Sequence, residues 1–183
     1  MKRTPSVEIS SADHLRGSLT APSRLLIYGD YECPYTRQAL LSVATVRERL
    51  GESLAFAFRN FPLTGIHPHA LHAALAAEAA DAQGKFWEMH DLLLRRQPFL
   101  EDRDLQGYAR MLGLDEERFR ADLEAQSGLS RIEADVRSGE RNGVDGTPGI
   151  FVNGRQHRQD YDPNTLASAL HTPGRRERVP GGP

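Results

Sequence analysis

Leu25, Leu26, Ile27 and Tyr28 form an unbroken apolar run that stops at Gly29-Asp30. This run constrains the fold most, because a strand apolar at consecutive positions must be covered on both faces. The reading is a buried core strand over 24–29. After Cys33 and Pro34 the period changes: Leu40, Val43 and Ala44 fall at i, i+3 and i+4, and Gly51 interrupts the pattern. That predicts a helix over 34–50. Residues 54–58 then read as a second apolar strand, and the order strand, helix, strand favours a right-handed parallel crossover.

From 67 to 141 the signal is helical. Phe86, Met89, His90 and Leu93 share one helical face, and Leu105, Tyr108, Ala109 and Leu112 repeat the spacing. Asp115 is placed to cap a helix carrying Phe119 and Leu123, and Ile132 with Val136 begins another. Residues 143–148 break the block. A strand over 150–152 follows, then Asn153-Gly154, a two-residue hairpin signal leading into 155–158. Asp162 and Pro163 suit the cap and first position of a final helix whose apolar stripe is Leu166, Ala169 and Leu170. The expected organisation is an N-terminal segment over 1–22, a sheet-bearing core over 23–66 and 143–172, and an inserted helical block over 67–142. The Gly-, Pro- and Arg-rich end, 173–183, is expected to be disordered.

A length of 183 residues fits one domain with an insertion. With 39% hydrophobic residues, 26% charged and a net charge of -2, bulk composition points to neither a nucleic-acid nor a membrane surface. The apolar stretches fall well short of the ~20 residues a spanning helix needs. Lys2 and Arg3 resemble the start of a signal peptide, but Thr4, Pro5, Ser6 and Glu8 stand where its apolar stretch would be. The expectation is a mature chain beginning near Met1, in the cytoplasm, with no nucleic-acid or membrane partner.

Cys33 is the single cysteine, so no disulfide can form within the chain. It is a reactive thiol, a buried structural residue, or one that pairs with another molecule. At a helix start, unpaired backbone N–H groups and the positive end of the dipole favour the thiolate, the nucleophile of disulfide exchange. Pro34 supports that boundary, since proline suits the first helical position. Free cysteines are also among the most buried residues, so local context leaves both readings open.

The segment Tyr28-Gly29-Asp30-Tyr31-Glu32-Cys33-Pro34-Tyr35, with Arg59-Asn60-Phe61-Pro62-Leu63 downstream, resembles the active-site entry of DsbA-like thiol oxidoreductases. Gln83-Gly84-Lys85-Phe86-Trp87 and Met89-His90-Asp91-Leu92-Leu93 are similar to that family's inserted helices. Gly143-Val144-Asp145-Gly146-Thr147-Pro148 resembles its cis-proline loop, and Phe151-Val152-Asn153-Gly154 its closing hairpin. The resemblance implies an α/β fold: a thioredoxin-like mixed sheet with an inserted helical domain. It also implies Cys33 as nucleophile, with Pro34, Tyr35, Thr147 and Pro148 shaping a site where substrate backbone pairs like an added strand.

The chain departs from the family at Thr36, where a second cysteine is usual. Without it, a mixed disulfide cannot be released from within. What remains is monothiol chemistry with a disulfide-containing protein or a glutathione-like thiol, in which the Thr36 hydroxyl can donate to the thiolate or is a plain helix-surface residue. Two other outcomes stay open: a binding or chaperone-like module without turnover, and a peroxide-reactive thiol. No cofactor is expected. His67, His69 and His72 lack a partnering cysteine or carboxylate at metal spacing, so no metal is expected there. His90 and Trp87 read as core residues, Ser130 and Ser168 have no hydrolase context, and Arg175, Arg176 and Arg178 read as a solvated end.

Overall fold

In a computed structural model that describes residues 6–171, two parallel strands frame the molecule: β2 (Ser23–Gly29) and β3 (Leu54–Asn60), joined by α1 (Pro34–Leu50) and a 3-10 turn (Gly51–Ser53). After β3 come five helices, α2 (Ala70–Asp81), α3 (Phe86–Arg95), α4 (Asp102–Met111), α5 (Glu116–Glu124) and α6 (Leu129–Arg141). The hairpin of β4 (Gly149–Val152) and β5 (Arg155–His157) and the helix α7 (Pro163–His171) complete the order. The tail over 173–183 lies outside the described residues.

The sheet contains one element that no apolar run announces. β1 (His14–Arg16) pairs antiparallel with the outer edge of β3, giving the order β1-β3-β2-β4-β5. β4 runs antiparallel to β2, with Leu26 opposite Phe151, and β5 pairs with β4. Asn153 and Gly154, both at positive φ, make the tight turn between them. The second apolar strand extends to Asn60, two residues beyond the stretch legible as apolar.

Alternation along the strands explains the continuous run. Leu25 and Ile27 face a core shared with α1, α7 and the inserted helices, and Leu26 and Tyr28 face a smaller one with Val7, Ile9, Phe61 and Phe151. Alanines Ala73, Ala74, Ala76, Ala77 and Ala80 let α2 bury nearly all its faces in the larger core. On the other face α6 lies close to the sheet: a Cβ on Gly139 would meet the Phe61 ring at 2.7 Å. No helix among the described residues is long and apolar enough to cross a membrane.

Candidate functional site

Cys33 is the residue at which chain direction turns from β2 into α1. Its backbone is extended (φ -77°, ψ 119°), its carbonyl accepts the Arg37 N–H at 3.3 Å, and Pro34 occupies the first turn, where a missing N–H costs nothing. No side chain caps this helix, so its first amides have no capping acceptor beside Cys33. Cys33 is 3% exposed, and its sulfur donates to the Thr147 carbonyl oxygen at 3.4 Å. Thr147 precedes Pro148 through a cis peptide bond. The fold thus brings Cys33, Thr147 and Pro148 together from positions more than a hundred residues apart, while Tyr35 stands 62% exposed beside them.

Thr36 is not a helix-surface residue. It is fully buried, its Oγ1 accepts the Asp30 N–H at 3.3 Å, and its methyl packs so near Gly29 that a Cβ there would meet it at 2.8 Å. The small residue at the end of β2 and the threonine in the first turn of α1 therefore need one another.

The approach to Cys33 is held from several sides. Buried Asp30 accepts from the Glu32 and Leu63 backbone N–H groups and pairs with His67 Nδ1, each at 2.8 Å. Glu32 takes the His69 N–H at 2.7 Å and pairs with His69 Nδ1 at 3.1 Å. From the end of α3, Gln97 Nε2 donates to the Tyr31 carbonyl at 2.8 Å and the Cys33 carbonyl at 2.9 Å. Sequence reasoning missed Gln97, which carries no local signal. It also missed Tyr161, whose hydroxyl donates to Gln38 and whose pKa is raised, by burial first and then by the charges Cys33 and Tyr35 carry when ionised.

The three histidines, with no cysteine or carboxylate at metal spacing in the sequence, each pair with a distant carboxylate: His67 with Asp30, His69 with Glu32, and His72 with Asp102 at 2.8 Å. The partners lie far away in sequence, which hid them, and each ring turns to its own carboxylate instead of converging. A different group does converge: ligand atoms of His14, Glu78 and Asp81 lie within 4.8 Å of one another. There Glu78 Oε1 also accepts from Asn60 Nδ2 at 2.7 Å, and Oε2 faces Arg131 Nε at 3.5 Å as an ion pair. His90 and Trp87 are packed as expected, with His90 Nδ1 paired to the Tyr31 hydroxyl at 2.9 Å.

The comparisons with known proteins agree with this architecture. The family model described as Thioredoxin matches residues 10–172. A Na(+)/H(+) antiporter NhaA 1 of Salinispora arenicola is 48% identical over 160 residues, 86% of this chain and 24% of that protein. Its namesake from Mycolicibacterium vanbaalenii is 42% identical over 166 residues, 90% of this chain and 27% of that protein. The chain thus spans about a quarter of the length of these relatives. Among solved structures, oxidised BdbD from Bacillus subtilis superposes with a TM-score of 0.79 at 23% identity, covering 91% of this chain and 98% of that one. The thiol-disulfide exchange protein α-DsbA2 from Wolbachia pipientis gives 0.72 at 18%, covering 87% and 86%. At these identities the likeness is one of fold, and with the family model matching nearly the whole chain, the protein belongs to the thioredoxin family and has the DsbA-like form of its fold.

Proposed function

We propose that this protein is a monothiol thiol-disulfide oxidoreductase in which Cys33 is the nucleophile. The observation that carries the reading is the placement of one sulfur at the uncapped start of α1, 3.4 Å from the carbonyl that precedes Pro148. The Cys33 thiolate attacks one sulfur of a disulfide, a Cys33–S–S bond forms, and the other sulfur leaves as a thiolate. A second, external thiolate then attacks the mixed disulfide and regenerates Cys33, because no other cysteine in the chain can do so. The substrate is a disulfide-containing protein or a low-molecular-weight disulfide of the glutathione type. A reducing compartment such as the cytoplasm supplies the resolving thiol.

Thr147, Pro148 and exposed Tyr35 form the surface against which a substrate backbone lies. The hydroxyl proton of Thr36 is available to a thiolate in the first helical turn, since its oxygen acts as acceptor toward Asp30. Low exposure of Cys33 means that reaction follows a small outward movement of the loop around it.

The test is incubation with oxidised glutathione, with intact mass read over time, followed by added thiol. Formation of an adduct that the thiol releases, absent in Cys33→Ser, is expected. A sulfur that stays unmodified in the folded protein would instead leave a binding module without turnover, and preferential reaction with hydrogen peroxide would indicate the peroxide chemistry.

A further inference from the structure

Between α1 and α3, on the floor provided by Phe56 of β3, lies a pocket of about 340 Å³ that Cys33 does not line. Four arginines line it, Arg16, Arg37, Arg47 and Arg95, with a single acidic residue, Asp91. Asp91 is committed to Arg16 at 2.7 Å. Arg37 and Arg47 have no ion pair among the described residues. Burial and the neighbouring Arg16 lower the Arg47 pKa, with Asp91 opposing them.

The floor adds a second, independent observation. His90 is 2% exposed and lines the pocket, and its Nδ1 is turned to the Tyr31 hydroxyl. That leaves Nε2 as a polar atom with no hydrogen-bond partner among the described residues. Because Tyr31 can donate to Nδ1, the ring can carry its proton on Nε2 and present it as a donor. An unpartnered ring nitrogen, surplus positive charge and apolar walls call for a ligand with an anionic head and an apolar body.

We infer that this pocket binds a medium-chain organic carboxylate. The head group pairs with Arg47 and Arg37 and accepts from His90 Nε2, and the chain lies on Phe56 and the leucines of α1. A chain of roughly ten carbons suits a cavity at the small end of the range for organic ligands. Occupation touches Tyr31, two residues before Cys33, through its bond to His90.

The sole tryptophan reports on the pocket, since Trp87 stacks under Arg16 at 4.3 Å and packs on Phe56 and His90. The experiment titrates the full chain with decanoate below its micelle concentration, following Trp87 emission. Decanol and acetate serve as the uncharged and chain-free probes. Saturable binding of decanoate is expected, weakened at least about ten-fold in Arg47→Gln and in the more exposed Arg37→Gln, with decanol and acetate weaker by a similar factor. Thermal melts confirm that both variants are folded. Decanol binding as tightly as decanoate, unchanged affinity in both folded variants, or no saturable response would overturn the inference. The readout does not involve Cys33, so either result leaves the redox reading to its own test.

Discussion

Asp135 carries a pH signature that a single substitution isolates. Its carboxyl lies on α6, and burial pushes its pKa from 3.8 up to about 6, with Glu78 adding to the rise and Arg131, Arg59 and the Asn60 N–H opposing it. A carboxyl raised on folding prefers its protonated form in the fold. Its cost is therefore absent below 3.8, grows as pH rises through that range and is complete above about 6. Asp135→Asn keeps an acceptor for the Asn60 N–H and removes the charge. Its stability relative to the parent should increase between those two pH values by up to roughly 3 kcal/mol, read from urea unfolding. At the neighbouring site, Thr36 sits three residues after Cys33 at the start of α1, and side chains three apart on a helix are neighbours. Thr36→Cys is expected to form a disulfide with Cys33, seen as loss of titratable thiol on oxidation. Its release of bound substrate should become at least about ten-fold faster and independent of added thiol. A variant that keeps both thiols free would show the first turn of α1 to be wrongly shaped for exchange.

Scale changes at the loop between β2 and α1, which the turn after α3 clamps through Gln97. Two charge-neutral hydrogen bonds from one amide hold the Tyr31 and Cys33 carbonyls. Gln97→Ala should cost about 1–2 kcal/mol of stability and raise the rate of Cys33 alkylation by iodoacetamide, since it frees the carbonyls beside a cysteine that is 3% exposed. An unchanged alkylation rate would mean that Gln97 does not govern access. Elements also show what sequence could reveal. The apolar run of β2, the change of period into α1 and the Asn153-Gly154 hairpin are local signals, and each element formed where those signals place it. β1 is three residues long with a buried histidine at its head, and His14 is satisfied by Glu78, 64 positions away. No periodicity can report a partner at that distance. The same holds for the site: Cys33-Pro34 and Thr147-Pro148 are legible as motifs, whereas Gln97, Tyr161 and the carboxylates of His67, His69 and His72 become visible only when the chain has folded.

At the scale of the whole molecule, the inserted helices and the sheet are not separable bodies. One core runs from Leu25 and Phe56 of the sheet through the α2 alanines to Met89, Leu105 and Phe119. On the opposite face Arg59 ties the N-terminal segment to the sheet and to α6, through Asp13 at 2.6 Å, the Tyr28 and Ser138 hydroxyls, and the Glu8 carbonyl. Unfolding followed by Trp87 emission, which reports on α3, and by far-ultraviolet circular dichroism should therefore give coincident transitions. Separated transitions would mean that the insertion melts alone.

The lone sulfur sets how such a molecule would register its surroundings. In the proposed monothiol reaction, exchange at Cys33 would consume one disulfide and liberate one thiol, so the proportion of chains carrying an adduct would track the ratio of those two species and ignore their total amount. A centre with paired sulfurs liberates two thiols for each disulfide consumed and shifts whenever the mixture is thinned. Diluting a glutathione buffer about ten-fold at constant ratio should leave the adduct fraction unmoved, as the proposed exchange requires; an adduct fraction that shifts on dilution would count against it.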